Sequence, residues 1–388
     1  MKIFCYNYRR MNQFLRKDLK SLLDKGLSME TDDELYQYQS NLEKDIGTKF
    51  TGKKAVVVTS GFRERNIGKV MGGYYAIGTS SGTAGLQFSL IALGIGKGDE
   101  VITAANTYVG VMLGISNTGA RPKLVDVNDK MLIDTEKIEE NITSRTKAIV
   151  PVHLYGQMAA MDKIRKIAKR NNLLVIEDAA HSPLARYDGK LPGEYGDSSF
   201  YSFYPNKILG AATNGGLVIT KNKKMFEKIR ILRDPSSNNP LVLKSHRTPA
   251  YLDWIQMVFI NSKLKYLPMW TKRRKEVAKM YFEGLKGIPI VLPKVDKKAY
   301  HVYCNFVIMT KKRKQIMKYL KNKGIQTAIH YEKPLHLLKT YKYLGYKKGD
   351  FPVTERLCNE VVSLPMNPFI TNEEVEYVIR NIKEFFKL

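Results

Sequence analysis

Between residues 74 and 220, short apolar runs alternate with stretches of helical period, and this alternation restricts the fold more than any other feature of the chain. The strand candidates are "YYAIG", "EVITA", "PKLVDV", "KAIVPVHL", "LLVIED", "SSFYSF" and "GGLVIT". Most are apolar throughout rather than alternating, the pattern of strands buried on both faces. "MDKIRKIAKRNN" reads as one intervening helix, its end marked by asparagines. Such strands, separated by helices, predict an α/β fold with a mainly parallel sheet covered by helices.

Before this block, "DDELYQYQSNLEKDI" has helical spacing through Leu35, Leu42 and Ile46. After it comes a polar break, "DPSSNNPLVLKSHRTP". A long helical stretch follows over about 252–286, then the strand-like "YHVYCNFVIM", a helix and the strand-like "IQTAIHY". The last helix opens on the capping-box pattern "TNEE", with Thr371 as cap and Glu374 three residues on. This predicts an N-terminal segment over 1–33 and a large α/β domain over 34–240. The long helix and a smaller α+β domain fill 241–388.

Composition excludes several classes. The chain has 388 residues, of which 44% are hydrophobic and 26% charged, enough for a sizeable core. No apolar run approaches the ~18 residues of a membrane span. "MKIFCYNYRRMNQFLRKDLKSLL" lacks the apolar centre of a secretory leader. Cys5, Cys304 and Cys358 are odd in number and far apart, which fits reduced thiols in the cytoplasm better than disulfides or zinc. The histidines have no metal-ligand spacing, so no metal is expected. The net charge of +27 raises the question of nucleic acid. It is spread through "KNKKMFEKIR", "TKRRKEVAK" and "KKRKQIMKYLKNK", which read as solvated helix faces and disfavour that partner.

In open α/β sheets ligands bind beyond the carboxyl ends of the strands, and three segments place polar groups there. In "GTSSGTAGLQFSL" a strand runs into small residues (Gly82, Thr83, Ala84) and a helix start, whose free N–H groups and dipole suit a phosphate. In "LLVIEDAAHS" Asp178 ends a strand and His181 follows; the carboxylate can cap a helix or hold a cationic ring nitrogen. In "SFYPNK", Ser202 can donate to a phosphate, and Lys207 can form a Schiff base if its pKa is lowered. Pyridoxal phosphate (PLP) needs all three: an anion site, an acid partner for its ring nitrogen and a lysine for its aldehyde.

These motifs resemble those of the DegT/DnrJ/StrS sugar aminotransferases, PLP enzymes of fold type I. The likeness runs from about residue 34 to the C-terminus and is densest in "SSGTAGL", "ALGIGKGDEVITAANTYV", "IVPVHLYGQMAAMD", "VIEDAAHS" and "SFYPNKILGA". It implies an aspartate aminotransferase-like fold with a seven-stranded type of sheet. It further implies that Lys207 bonds the cofactor, Asp178 pairs with the ring nitrogen, and Ser202, Thr83 and Ala84 hold the phosphate. Tyr108 would lie against the ring and His181 beside its hydroxyl. His153, Tyr204 and His330 are candidate substrate contacts, though structural histidines would serve equally well at His153 and His330. The wording of "ANTYV" and "FYPNKILGA" is closer to members acting at C3 of a nucleotide-linked keto-sugar than to the C4 group.

The resemblance therefore implies a homodimeric aminotransferase that takes an amino acid, glutamate above all, and a nucleotide keto-deoxysugar. Two alternatives stand beside it: a sugar dehydratase of the same family, against which Lys207 argues because those enzymes carry histidine there, and a regulatory protein on the same fold. Three departures matter. Pro249 and Tyr251 fill slots that are usually asparagine and arginine in the segment reaching across the dimer, Asn214 replaces an acidic residue, and residues 57–73 look inserted.

Overall fold

The computed structural model describes residues 3–29, 32–51, 56–57, 74–234 and 249–387. Nearly all of the polar break and of the inserted stretch lies outside them.

Its strands, in chain order, are β1 (Val56–Val57), β2 (Tyr75–Thr79), β3 (Glu100–Ala104), β4 (Arg121–Val125), β5 (Thr146–Val150), β6 (Leu174–Asp178), β7 (Arg186–Tyr187), β8 (Ser198–Ser202), β9 (Gly216–Thr220), β10 (Ala299–Tyr300), β11 (Phe306–Met309) and β12 (Val361–Leu364). The main sheet runs β1-β2-β9-β8-β6-β5-β3-β4. β9 is antiparallel to both neighbours, and every other pairing is parallel. Apart from the two-residue β1, this is the expected seven-stranded, mainly parallel sheet. Crossover helices such as Gly82–Ala92 and Met161–Arg170 cover it, because strands whose residues are buried on both faces must have apolar cover on both. Each aliphatic side chain fully removed from water here (Ile77, Val101, Ile149, Val175 and Leu217 among them) contributes ~1.5–3 kcal/mol.

A second apolar cluster joins β11 and β12 to the helices Leu267–Gly284, Arg313–Asn322 and Asn372–Phe386, through Tyr281, Phe306, Ile316, Val362 and Val378. The capping box forms: Thr371 Oγ1 accepts from Glu374 N–H at 3.2 Å, and Thr371 N–H donates to the Glu374 carboxylate at 2.9 Å.

Three elements differ from the sequence reading. The stretch 252–286 is two helices, Trp254–Leu264 and Leu267–Gly284, since Pro268 starts a helix more readily than it continues one. The first packs with the large sheet's core through Met257, Val258 and Ile260. "IQTAIHY" makes isolated bridges, Ile325 to Ile3 and Ala328 to Ser363, rather than a strand. Residues Tyr8–Leu27 form a helix that packs on Trp254–Leu264, the two drawn close at Gly26, where an added Cβ would meet the Trp254 ring at 2.6 Å.

Candidate active site

Strand register gathers the polar segments. Thr79 and Ser202 both lie opposite Gly216, and Phe200, two residues before Ser202, lies opposite Asp178. Because β9 is antiparallel, its first residue sits on the edge where β2, β6 and β8 end. A cavity of about 330 Å³ opens at that edge, lined among others by Gly82, Thr83, Tyr108, Asp178, His181, Ser202, Tyr204, Lys207 and His330.

At one end is the start of the Gly82–Ala92 helix. Ser81 Oγ caps it by accepting from Ala84 N–H at 3.1 Å. Gly82 and Thr83, as the first helical residues, have N–H groups with no acceptor inside the helix. Ala84 itself does not line the cavity, and its N–H is committed to the cap. Close packing explains two glycines: a Cβ on Gly216 would lie 2.7 Å from Gly82 N, and one on Gly110 would lie 2.8 Å from the Tyr108 ring. Gly110 thus lets Thr83 and Tyr108 meet beside the helix start.

Lys207 stands on a β-turn. Its N–H donates to Tyr204 carbonyl oxygen at 2.9 Å, with Pro205 at the position where a fixed φ favours such turns. The chain then folds back so tightly that a Cβ on Gly210 would lie 2.9 Å from Pro205 Cα. The buried Lys263 amine donates to the Gly210 carbonyl and fixes that return. Burial lowers the Lys207 amine from its usual value, with Cys304 and Asp178 nearby opposing the shift. The Lys263 amine is also lowered by burial, to about 8, but Lys263 does not line the cavity.

Burial pushes the Asp178 carboxyl up to about 6. The N–H of Ala180 donates to Oδ1 at 2.9 Å and, with Lys207 and His153 nearby, works the other way. A carboxylate so placed gains from a cation beside it. His181 accepts from Tyr155 N–H at Nδ1 (3.2 Å), which places its proton on Nε2. Burial holds it neutral, well below the usual imidazole range. His330 is also held down, to about 4, by burial and by Lys207.

His153 is a correction. Its side chain is fully buried and outside the cavity. Nδ1 accepts from Ala159 N–H at 3.2 Å, and Nε2 faces Glu177 Oε2 at 2.9 Å. Glu177 Oε1 accepts from Gly193 and Gly196 N–H at 2.8 and 2.7 Å. Glu177 points to the opposite face of β6 from Asp178, so His153 braces the sheet behind the site. Among the cavity residues that sequence reading passed over are Tyr6, Thr107, Asn206, Cys304, Asn305 and Tyr331. Thr107 and Asn206 flank segments already singled out, whereas Tyr6 and Asn305 carry no local signal.

The profile of the DegT/DnrJ/EryC1/StrS aminotransferase family matches residues 34–383. The chain belongs to this family. It is 41% identical to the dTDP-3-amino-3,6-dideoxy-alpha-D-galactopyranose transaminase of Aneurinibacillus thermoaerophilus, over 83% of this chain and 88% of that one. It is 40% identical to a pleiotropic regulatory protein of Geobacillus stearothermophilus, over 81% and 85%. Its fold superposes on S. venezuelae DesV in complex with a ketimine intermediate with a TM-score of 0.88, at 30% identity over 100% and 99% of the two chains. NtdA of Bacillus subtilis with bound cofactor PMP gives 0.78, at 29% identity over 96% and 82%.

Enzymes of the DegT/DnrJ/EryC1/StrS family use PLP, and the residues here fit it. The helix start and Ser202 offer donors for a phosphate, Asp178 is a carboxylate that favours a cationic partner, and Lys207 is an amine eased toward its neutral form. Two buried oxygens at the cavity, Thr107 Oγ1 and Asn206 Oδ1, have no hydrogen-bond partner among the described residues. Buried polar atoms of this kind call for a ligand.

Proposed function

We propose that this aminotransferase moves an amino group from an amino acid, L-glutamate in this reading, to C3 of a nucleotide-linked keto-deoxysugar in amino-sugar biosynthesis. The observation that carries it is Lys207 on the cavity wall with Asp178, since a dehydratase of the family would present histidine there. The C3 position rests on the motif wording and on the name of the Aneurinibacillus relative.

Bound PLP supplies a carbonyl that condenses with amines and a ring that accepts the electron pair left on carbon. The remaining work falls to the chain. Gly82 and Thr83 N–H groups, with the Thr83 and Ser202 hydroxyls, would hold the phosphate. Asp178 would hold a proton on the ring nitrogen, and the favourable charge pairing would offset the cost of burying its carboxylate. His181, protonated at Nε2, would donate to the ring hydroxyl oxygen, and Tyr108 would lie on the ring side of the cavity. The Lys207 amine would act as the base that takes the proton from the donor's α-carbon and the acid that returns one to the sugar carbon.

A two-fold partner completes the site in this reading. Tyr108, Tyr204 and Tyr251 are 55%, 51% and 46% exposed, much for aromatic side chains in and near a binding cleft. Near Tyr251, Ala250 carbonyl oxygen accepts from Ser80 N–H at 2.7 Å beside the phosphate loop. Arg247, a candidate replacement for the missing arginine, lies outside the described residues. Asp253 and Gln256 have local duties: Asp253 Oδ1 accepts from Ile255 N–H at 2.8 Å, and Gln256 Oε1 from Thr213 N–H at 2.9 Å. No helix among the described residues is long and apolar enough to cross a membrane, in keeping with a cytoplasmic enzyme.

The test is a panel of nucleotide keto-sugars with L-glutamate, read by formation of amino sugar and 2-oxoglutarate. Product from 3-keto substrates is expected; product from 4-keto substrates alone would move the reading to C4. The regulatory alternative draws on the name of the Geobacillus relative. It requires tight, sequence-selective binding of duplex DNA at physiological salt, where an enzyme with solvated lysine faces binds weakly and loses affinity steeply as salt rises.

A further inference from the structure

The N-terminal strap brings a phenol into a cavity otherwise built by distant parts of the chain. Ile3 N–H donates to Gly324 carbonyl oxygen at 2.9 Å, and Gln326 N–H donates to Ile3 carbonyl oxygen at 2.9 Å. The Cys5 thiol donates to Gln326 carbonyl oxygen at 3.2 Å, and Asn367 Nδ2 to Phe4 carbonyl oxygen at 3.0 Å. On the other side of Tyr6, Asn7 Oδ1 accepts from Arg10 N–H at 3.1 Å and caps the Tyr8–Leu27 helix. Arg10 makes a two-pronged pair with Glu374 at 3.0 and 3.0 Å, and donates to Phe369 carbonyl oxygen at 2.9 Å. Tyr6 is therefore fixed from both directions, and a fixed group binds a ligand without the entropy cost of ordering a loop.

Its hydroxyl sits between two other cavity residues. Asn305 Nδ2 donates to it at 3.4 Å, and His330 Nε2 lies 3.4 Å away. Both separations are long for a hydrogen bond, so these contacts are the weak ones of the cluster and rearrange at little cost when a ligand oxygen arrives. His330 is oriented from behind, its Nδ1 2.8 Å from Ser363 Oγ. Tyr6, Asn305 and His330 line the same cavity as Lys207, whose charge helps to hold the His330 imidazole down. Phenol, amide and neutral imidazole together donate to and accept from a hydroxyl. They carry no net charge to attract a carboxylate, so they suit a sugar better than the amino-acid donor.

We propose that Tyr6, with Asn305 and His330, is a specificity-determining group that recognises a hydroxyl flanking the reacting carbon of the sugar. This inference rests on the sugar-aminotransferase reading above. A site that hydrogen-bonds a substrate hydroxyl discriminates strongly, because its buried polar atoms are left unpaired by anything else.

The experiment uses PLP-loaded full-length enzyme and follows loss of the cofactor's visible absorbance in single turnovers. One arm adds dTDP-3-amino-3,6-dideoxy-α-D-galactose and the other L-glutamate, each with wild type and with Tyr6→Phe. The expected result is that Tyr6→Phe lowers the sugar half-reaction about tenfold relative to the glutamate half-reaction, chiefly through the concentration of sugar giving half-maximal rate. An equal fall in both arms marks a merely structural role and overturns the inference, as does an unchanged ratio. A wild-type enzyme that reacts with glutamate but with neither this amino sugar nor other nucleotide amino sugars overturns the parent reading instead. Tyr6→Phe/Asn305→Ala should cost less than the sum of the two single changes if both groups hold one hydroxyl.

Discussion

Replacing Asp178 with asparagine should make the cofactor-free protein more stable while weakening its grip on PLP. The carboxyl is pushed from an ordinary 3.8 to about 6 by burial. A raised acid pKa means that folding stability is fully present below the unfolded value and is lost as pH climbs through the folded one. At ~1.36 kcal/mol per pH unit, that interval of about two units puts the penalty near ~3 kcal/mol above pH 7 and about half of that at pH 5. Asparagine carries no charge to desolvate, and its oxygen can still accept from Ala180 N–H. Urea unfolding of both cofactor-free proteins should therefore show Asp178→Asn ahead by up to ~3 kcal/mol at pH 8, with the gap narrowing toward pH 5. With PLP the order should reverse, since the amide cannot neutralise the ring's positive charge, and transamination should fall by orders of magnitude. A stability gap that does not change with pH, or an asparagine variant less stable at pH 8 without cofactor, would refute the burial argument.

Gly216→Ala places a methyl group against Gly82 N at 2.7 Å and should cost ~1–3 kcal/mol of stability, together with a marked loss of PLP affinity. Urea midpoints and cofactor titration check both, and an alanine variant with wild-type affinity would mean that the helix start can shift without harm. The protein should sediment as a dimer, and Tyr251→Phe should weaken PLP binding several-fold if that hydroxyl replaces the family's arginine. A monomer that turns over would remove the partner from the site.

Much of the fold was legible because buried parallel strands are continuous apolar runs, and β3, β6, β8 and β9 coincide with such runs almost to the residue. The helix Tyr8–Leu27 was less visible, although Leu15, Leu19 and Leu22 have helical spacing. Its polar faces hid them in a stretch dominated by lysine and arginine. "IQTAIHY" alternates like a strand, but its backbone meets Ile3 and Ser363 only at single points. In the site, residues next to turns and strand ends could be named because local chemistry marks them. His153 could not be placed, since whether a histidine at the end of β5 faces the ligand or the support behind it depends on Glu177, a strand away. Tyr6 was invisible for a related reason: its neighbours, Asn305 and His330, are about three hundred residues distant, and no period or spacing carries that information.

If Lys207 is the lysine that bonds PLP, borohydride reduction followed by peptide mapping will find the cofactor there. Two lysines compete on burial alone. Lys263 is the more completely enclosed, but its amine is spent on the Gly210 carbonyl and does not line the site's cavity, whereas Lys207 opens onto Asp178 and the helix start. One reduced pyridoxyl group is expected, on the peptide containing Lys207, with loss of both the visible band and the label in Lys207→Ala. A label on Lys263, or a Lys207→Ala protein that keeps a reducible bond to the cofactor, would contradict it.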